Sequence, residues 1–428
     1  MDNRADQSTI EKPRLKLGFI ALADCVPLVA ARELGFFAEQ GLDVRLERQG
    51  SWAAIRDNVA IGRLDGAQML AGLPLAATLG YGMPPTPMVT ALSLGANGNS
   101  ICLSNEVWQR MRAIDPGVID ARPARADALR TVIAEDRAAG LAPLTFAMVH
   151  PVSSHNYQLR YWLAAAGIDP DRDVRLIVVP PARMLANLRA HRIAGYCVGA
   201  PWSEHAVAEG LGHVPATGYE IWNNAPEKVL GVARDWAEAY PKTHRALIRA
   251  LIRACDWLDE PDNRERIAAF VAQSEYVDCD PERLAAVYDG RIARHPDGPV
   301  EDHPDHLVFS RYHSGFPWRS HALWFVRQMQ RWGQLHPATD AVEVAEAVYR
   351  PDIYREVCVE LGRSAPAADY KIEGEHARCW SDAAAFGQGI TLGPDRFFDG
   401  GRFDPEVAAP VAHSRPQSVL NAVQGDLS

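Results

Sequence analysis

Short apolar runs alternate with longer segments whose apolar positions recur every three to four residues. LKLGFIAL (15–22) predicts a strand; past Asp24, Pro27 opens a helix over PLVAARELG that ends near Gly35. GLDVRLERQ (41–49) alternates as a strand and runs into Gly50-Ser51-Trp52, where Ser51 is placed to cap the helix AAIRDNVAIG. DGAQML (65–70) predicts a short strand and GLPLAATLG another helix. This succession is the rhythm of a doubly wound parallel sheet.

Gly, three prolines and the polar turn Ala96–Asn99 break that rhythm over residues 80–100. SICLS then resumes as a strand, and 105–140 is charged and helical. The next stretch organises the chain. LAPLTFAMVHP (141–151) reads as a buried strand, Ser153-Ser154-His155 follows, and an amphipathic helix carries Leu159, Tyr161, Trp162 and Leu163 to Gly167. Ser153 or Ser154 caps that helix, which leaves N–H groups pointing outward at the positive end of its dipole, where a small anion is held. His155 either joins such a site or completes the cap.

DVRLIVVPP predicts a strand, Met184–His191 a helix, AGYCVG a strand, and Pro201-Trp202 starts another helix. Residues 101–225 thus form a second α/β unit, inserted after the first. From Pro226 the chain reads KVLGVARDWAEAYP and becomes mostly helical, through HRALIRALIRACDWL, NRERIAAFVAQ, PERLAAVYDG, SHALWFVRQMQRWGQL and AVEVAEAVY. Residues 1–13 predict a disordered lead, the pattern fades after Gly389, and 409–428 predict a loose tail.

Composition narrows the class. The chain has 428 residues, 47% hydrophobic and 23% charged, enough for two or three domains of an ordinary globular protein. A net charge of −10 argues against a nucleic-acid groove or an anionic membrane as partner, but not against a small anion held by local donors. No run of 18 apolar residues spans a bilayer. The polar start shows neither a signal-peptide run nor a cysteine for a lipid anchor, and the seven cysteines are scattered without CxxC or zinc spacing. The expectation is a cytoplasmic protein with reduced thiols.

Five strand-end turns are candidates for chemistry: Asp24–Pro27, Ser51-Trp52, Asn97–Asn99, Ser153–His155 and Gly199–Pro201. In a two-lobed α/β protein such turns face one another across a cleft. Trp52 offers an indole N–H or a planar wall, or is a hydrophobic staple. Asn97 offers an amide N–H, or is an ordinary Asn-Gly turn. Gly199 lets backbone amides come close, or is a plain tight turn. Lys228 brings a full positive charge, or is solvated. These groups are nearly all donors and suit a ligand that only accepts, of which nitrate is one. Charge-assisted bonds of about 1.5–3 kcal/mol each make a micromolar site of about −8 kcal/mol reachable after the entropic cost. Bicarbonate would want an acceptor for its hydroxyl, and no carboxylate or metal beside Lys228 is evident.

The histidines of 295–321 (His295, His303, His306, His313 and His321) include HPDH, yet no HExxH or paired-carboxylate spacing accompanies them, so loop and cap roles are expected. GxSxG, a P-loop and a strand-borne GxGxxG are all missing, and no nucleophile–base pair marks an enzyme. No cofactor or metal is expected.

The run from Leu17 to Gly80 resembles the nitrate/bicarbonate-binding proteins of the NrtA/CmpA family. The likeness continues through HNYQLRYWLAAAGIDPDRDVRLIVVPPARM, YCVGAPW, EKVLGVARDW and FPWRSHALWFVRQMQRWGQ, and covers roughly 14–405. It implies a type II periplasmic-binding-protein fold with two lobes, a ligand cleft and extra C-terminal helices. Lobe 1 would comprise 14–100 and 226–408, including those helices, and lobe 2 would be 101–225. Carried over residue by residue, it places nitrate ligands at Trp52, His155, Gly199 and Lys228, and at Asn97 where the family has glutamine. Lysine at 228, where bicarbonate binders carry an acid and use calcium, favours nitrate or nitrite.

On the expectation that it carries neither leader nor anchor, the chain resembles within that family the cytoplasmic sensors of NasS type. Such a protein would bind nitrate or nitrite and release a NasT-type, ANTAR-domain antiterminator, with no nucleic-acid or membrane contact of its own. The alternative is the substrate-binding component of a nitrate/bicarbonate-type ABC transporter. A pyrimidine-precursor enzyme is a third reading, since thiamine-related proteins share this fold, but their cysteine-rich iron motif is missing.

Overall fold

The computed structural model describes residues 10–407. In the first unit the strands are β1 (Arg14–Phe19), β2 (Asp43–Arg48), β3 (Gly66–Leu70) and β4 (Met88–Asn97). The second unit holds β5 (Asn99–Ser104), β6 (Thr145–Met148), β7 (Arg175–Val178), β8 (Gly195–Gly199) and β9 (Gly212–Thr217). Strand β10 (Pro226–Ala233) then returns to the first.

Two main sheets result, one per lobe, beside two small two-stranded ones. The first runs in the order Leu307–Val308, β4, β10, β3, β1, β2, and the second β7, β6, β8, β5, β9. β1 lies parallel to β2 and β3, and β6 parallel to β7 and β8, as strand–helix–strand units dictate. β10 is antiparallel to β3 and β4, and β5 to β8 and β9, because these are the strands on which the chain changes lobes. It leaves lobe 1 at Gly98 and returns between Thr217 and Pro226.

Strand β4 replaces the break expected over 80–100. All ten of its residues are buried, so it carries no alternation to distinguish it from a loop rich in small residues. The disordered lead expected over 1–13 is corrected at its end. Glu11 accepts hydrogen bonds from the Lys242 and Thr243 N–H groups at 3.0 and 2.8 Å, capping the helix Pro241–Asp259 from outside it, and Lys12 pairs with Asp65. Residues 1–9 and the expected tail 409–428 lie outside the described residues. His306 and His321 are buried rather than in surface loops, because the segment around each packs back onto the lobes.

Among the described residues no helix is long and apolar enough to cross a membrane. The helices Arg319–Arg331 and Ala341–Val348 lean on lobe 1, and the first of them reaches across to lobe 2. Leu22, Trp52 and Leu73 of lobe 1, Val149, Val152 and Tyr157 of lobe 2, and Trp324 and Phe325 share one buried apolar cluster. Polar contacts fasten the same seam: Ala23 N–H donates to Ala200 O at 2.8 Å, Gln334 Nε2 to Pro151 O at 2.8 Å, and Tyr157 Oη to Gln334 Oε1 at 2.6 Å. The lobes are closed on one another.

Candidate functional site

Four strand-end turns converge on this seam. Ser51 caps the helix Trp52–Ala60 by accepting from Ala54 N–H at 3.1 Å, which fixes Trp52 in its first turn. Ser153 does the same for the helix Ser154–Ala165, accepting from Asn156 N–H at 3.0 Å. Ser154 is therefore free to face the seam, with His155 beside it. The 3-10 turn Ala23–Cys25 after β1 supplies Asp24, and Gly199 ends β8.

Lys228 lies at the centre, 1% exposed, with Nζ 5.4 Å from the Trp52 ring centroid and 2.7 Å from Asp24 Oδ2. Its second anion is its own neighbour, Glu227. Adjacent strand residues normally point to opposite faces. Here Pro226 pairs with Ala96 and Lys228 with Gly95, so Glu227 is an extra residue, and a bulge turns both side chains inward. Glu227 also accepts from Ser154 Oγ and from Asn99 Nδ2, and His155 Nε2 lies 3.4 Å from its Oε1. Gln68 holds the other side, donating to Asp24 Oδ1 at 2.7 Å while accepting from Ile20 N–H.

The structure brings Trp52, His155, Gly199 and Lys228 together. A Cβ on Gly199 would sit 3.5–3.6 Å from Asn99 Oδ1, Asp24 Oδ2 and His155 Nε2, which locates that glycine in the same group. Trp52 Nε1 and both His155 ring nitrogens are buried without a hydrogen-bond partner among the described residues. The indole N–H and the single N–H that a neutral imidazole carries are unmet donors that a bound acceptor would satisfy.

Asn97 is not among them. It takes the left-handed conformation (φ 67°) that asparagine tolerates, accepts from Ala225 N–H at 3.0 Å and donates to Asp305 O at 2.8 Å. It stitches the two crossing strands, and Asn99, two residues on, faces the cluster instead. Asn97→Ala is expected to cost about 1–3 kcal/mol of stability, for the Asp305 carbonyl left without this donor and a left-handed backbone that alanine resists, with anion affinity little changed. Urea denaturation and calorimetry check both halves.

The expectation that no carboxylate lies beside Lys228 is overturned by Asp24 and Glu227. Burial raises Asp24 above the usual carboxylate range, because one ammonium shared between two acids offsets it only in part. Burial alone would lower Lys228, but the two carboxylates outweigh it and hold Lys228 above its ordinary value. His155 is held well below its ordinary value by burial and by Lys228, so its imidazole is neutral. Among the described residues no group of three or more His, Cys, Asp or Glu is placed to hold a metal ion.

Sequence reasoning missed Glu227 and Gln68, and named Asn99 only as the end of the turn Asn97–Asn99. The one available signal was Pro226, since a proline opening a strand marks an edge or a bulge.

The profile of the NMT1-like family matches residues 8–272. The nitrate/nitrite binding protein NrtA of Synechococcus elongatus is 34% identical over 419 residues, 95% of this chain and 85% of that protein. The chain belongs to the NMT1-like family, as an NrtA/CmpA-like protein. Among these relatives, the nitrate import ATP-binding protein NrtC of Synechocystis sp. is 42% identical over 371 residues, 86% of this chain and 52% of NrtC. The chain thus spans about half the length of such curated relatives. The crystal structure of the periplasmic nitrate-binding protein NrtA from Synechocystis PCC 6803 superposes with a TM-score of 0.81 at 30% identity, covering 92% of this chain and 96% of NrtA. The fold is periplasmic-binding-protein-like, with two α/β lobes.

Proposed function

We propose that this protein binds a small planar oxyanion of the nitrate, nitrite or bicarbonate class between its lobes, as the recognition component of an ABC-type import system. The observation that carries the reading is the convergence of Trp52, His155, Gly199 and Lys228 at one closed seam. The likeness to NrtA supports it, and so does the character of NrtA as a binding protein rather than a catalyst. With Asp24 and Glu227 in place, bicarbonate also finds the acceptor its hydroxyl needs, so the preference for nitrate over bicarbonate no longer follows from the donor set alone.

Titration calorimetry with sodium nitrate, nitrite and bicarbonate tests this. Micromolar binding of at least one is the expected result, and no heat with any of the three overturns it. The same anion-dependent closure would serve a cytoplasmic sensor that lets go of a NasT-type antiterminator. Retention of that partner on tagged protein, with release on adding nitrate, would move the assignment there.

A further inference from the structure

The charges around Gly199 set a condition on any anion that enters. Among the groups facing this space, Lys228 supplies the cation, and Asp24 and Glu227 both hold it already. His155 adds no charge, because its imidazole is neutral. With both acids ionised the cluster carries one net negative charge before a ligand arrives. A second, buried away from water with no counter-ion, costs several kcal/mol, more than the donors of Trp52 and His155 return.

We propose that nitrate or nitrite enters this site together with one proton, which is taken from solvent by the Asp24/Glu227 carboxylate pair. Charge balances: one anion and one proton arrive, and the cluster keeps the net charge it had. A hydrogen carbonate ion carries the same single charge, which its own acidic hydrogen does not cancel, so by the same count it takes up one proton too. The proton is thus linked to the charge of the entering anion, an inference that rests on the reading of the seam as an oxyanion site.

Among the described residues no other neighbour supplies this linkage. The groups facing Glu227 are Lys228 on β10, Asp24 on the turn after β1, His155 on the helix Ser154–Ala165 and Cys197 on β8. Asp24 additionally faces Cys25 and Tyr288. Burial pushes both thiols and the phenol up, so they stay neutral between pH 5.5 and 8, while Lys228 stays charged. The carboxylates act as a pair, so the proton belongs to both rather than to either one.

Calorimetry with sodium nitrate, nitrite and bicarbonate, in two buffers of different ionisation enthalpy from pH 5.5 to 8, counts the protons directly. The expected result is uptake of about one proton with nitrate or nitrite, and an affinity that falls about tenfold per pH unit. The same uptake is expected with bicarbonate if it binds. Glu227→Gln, which keeps the shape and one acceptor, should bind nitrate without proton uptake and about tenfold or more tighter than wild type at pH 8. Nitrate binding by the wild type with no proton uptake and no pH dependence overturns the inference, whether or not the variant folds. A Glu227→Gln protein that keeps the full proton uptake overturns it as well. If the wild type binds none of the three anions at any pH, the oxyanion reading falls first and takes the inference with it.

Discussion

Gly72→Ala is expected to weaken anion binding by about 10–100-fold while leaving each lobe folded. Gly72 precedes the helix Leu73–Thr78 with φ −77° and ψ −12°, a conformation open to any residue, so it is space and not backbone freedom that requires glycine. A Cβ there would lie 2.3 Å from the carbonyl oxygen of Val152 and 3.1 Å from Phe325 Cδ1. The phenylalanine ring can give way. The carbonyl belongs to the backbone of the opposite lobe, in the turn that carries Ser153 and His155, and yields only if the lobes part. Overpacking of this kind costs about 1–3 kcal/mol, and because only the closed arrangement assembles the site, that cost appears in full as lost affinity. Calorimetry with nitrate and the radius of gyration from solution scattering together decide the matter. Unchanged affinity with an unchanged radius would show that the seam is not as tight as the contact implies.

Lys228→Met should remove anion binding and lower stability by about 3–5 kcal/mol at pH 7, because it strands two buried carboxylates without a counter-ion. Methionine fills the aliphatic stem, so the loss is electrostatic rather than a cavity. The sign with pH follows from the acids. Burial raises Asp24 in the folded state even beside Lys228, and taking the ammonium away removes what lowers it. The penalty of its burial is therefore absent below the unfolded carboxylate range and grows as pH rises through it. The deficit relative to wild type should shrink markedly between pH 7 and pH 4.5 in urea denaturation. An equal deficit at both values would mean that Lys228 acts through packing alone. Lys228→Glu is the less informative change, since a third buried carboxylate would jeopardise the fold along with the site.

The part of the site legible in the sequence is the part built on local rules. Trp52 and His155 follow serines that cap helices, Gly199 ends an apolar strand, and each of these signals is complete within a few residues. Glu227 was illegible because the alternation rule sends it away from Lys228, and the register shift that overrides the rule is a property of how β10 lies against β4. Asn97 and Asn99 flank Gly98 symmetrically in sequence. Which of them faces inward is decided by the left-handed turn at 97–98, where the partners Ala225 and Asp305 come from far along the chain. The sheet order was legible for the parallel units but not for β4, whose burial on every side erases its pattern.

The clasp formed by Gln334, which bonds at once to Pro151 O and Tyr157 Oη, has a kinetic corollary. It joins an oily seam that must be wetted before the halves swing apart, so unlocking is a concerted event rather than a gradual one. Dwell time of an occupant is then set by the lifetime of that latch, and loosening it at Gln334 would speed escape without touching a single group around Gly199.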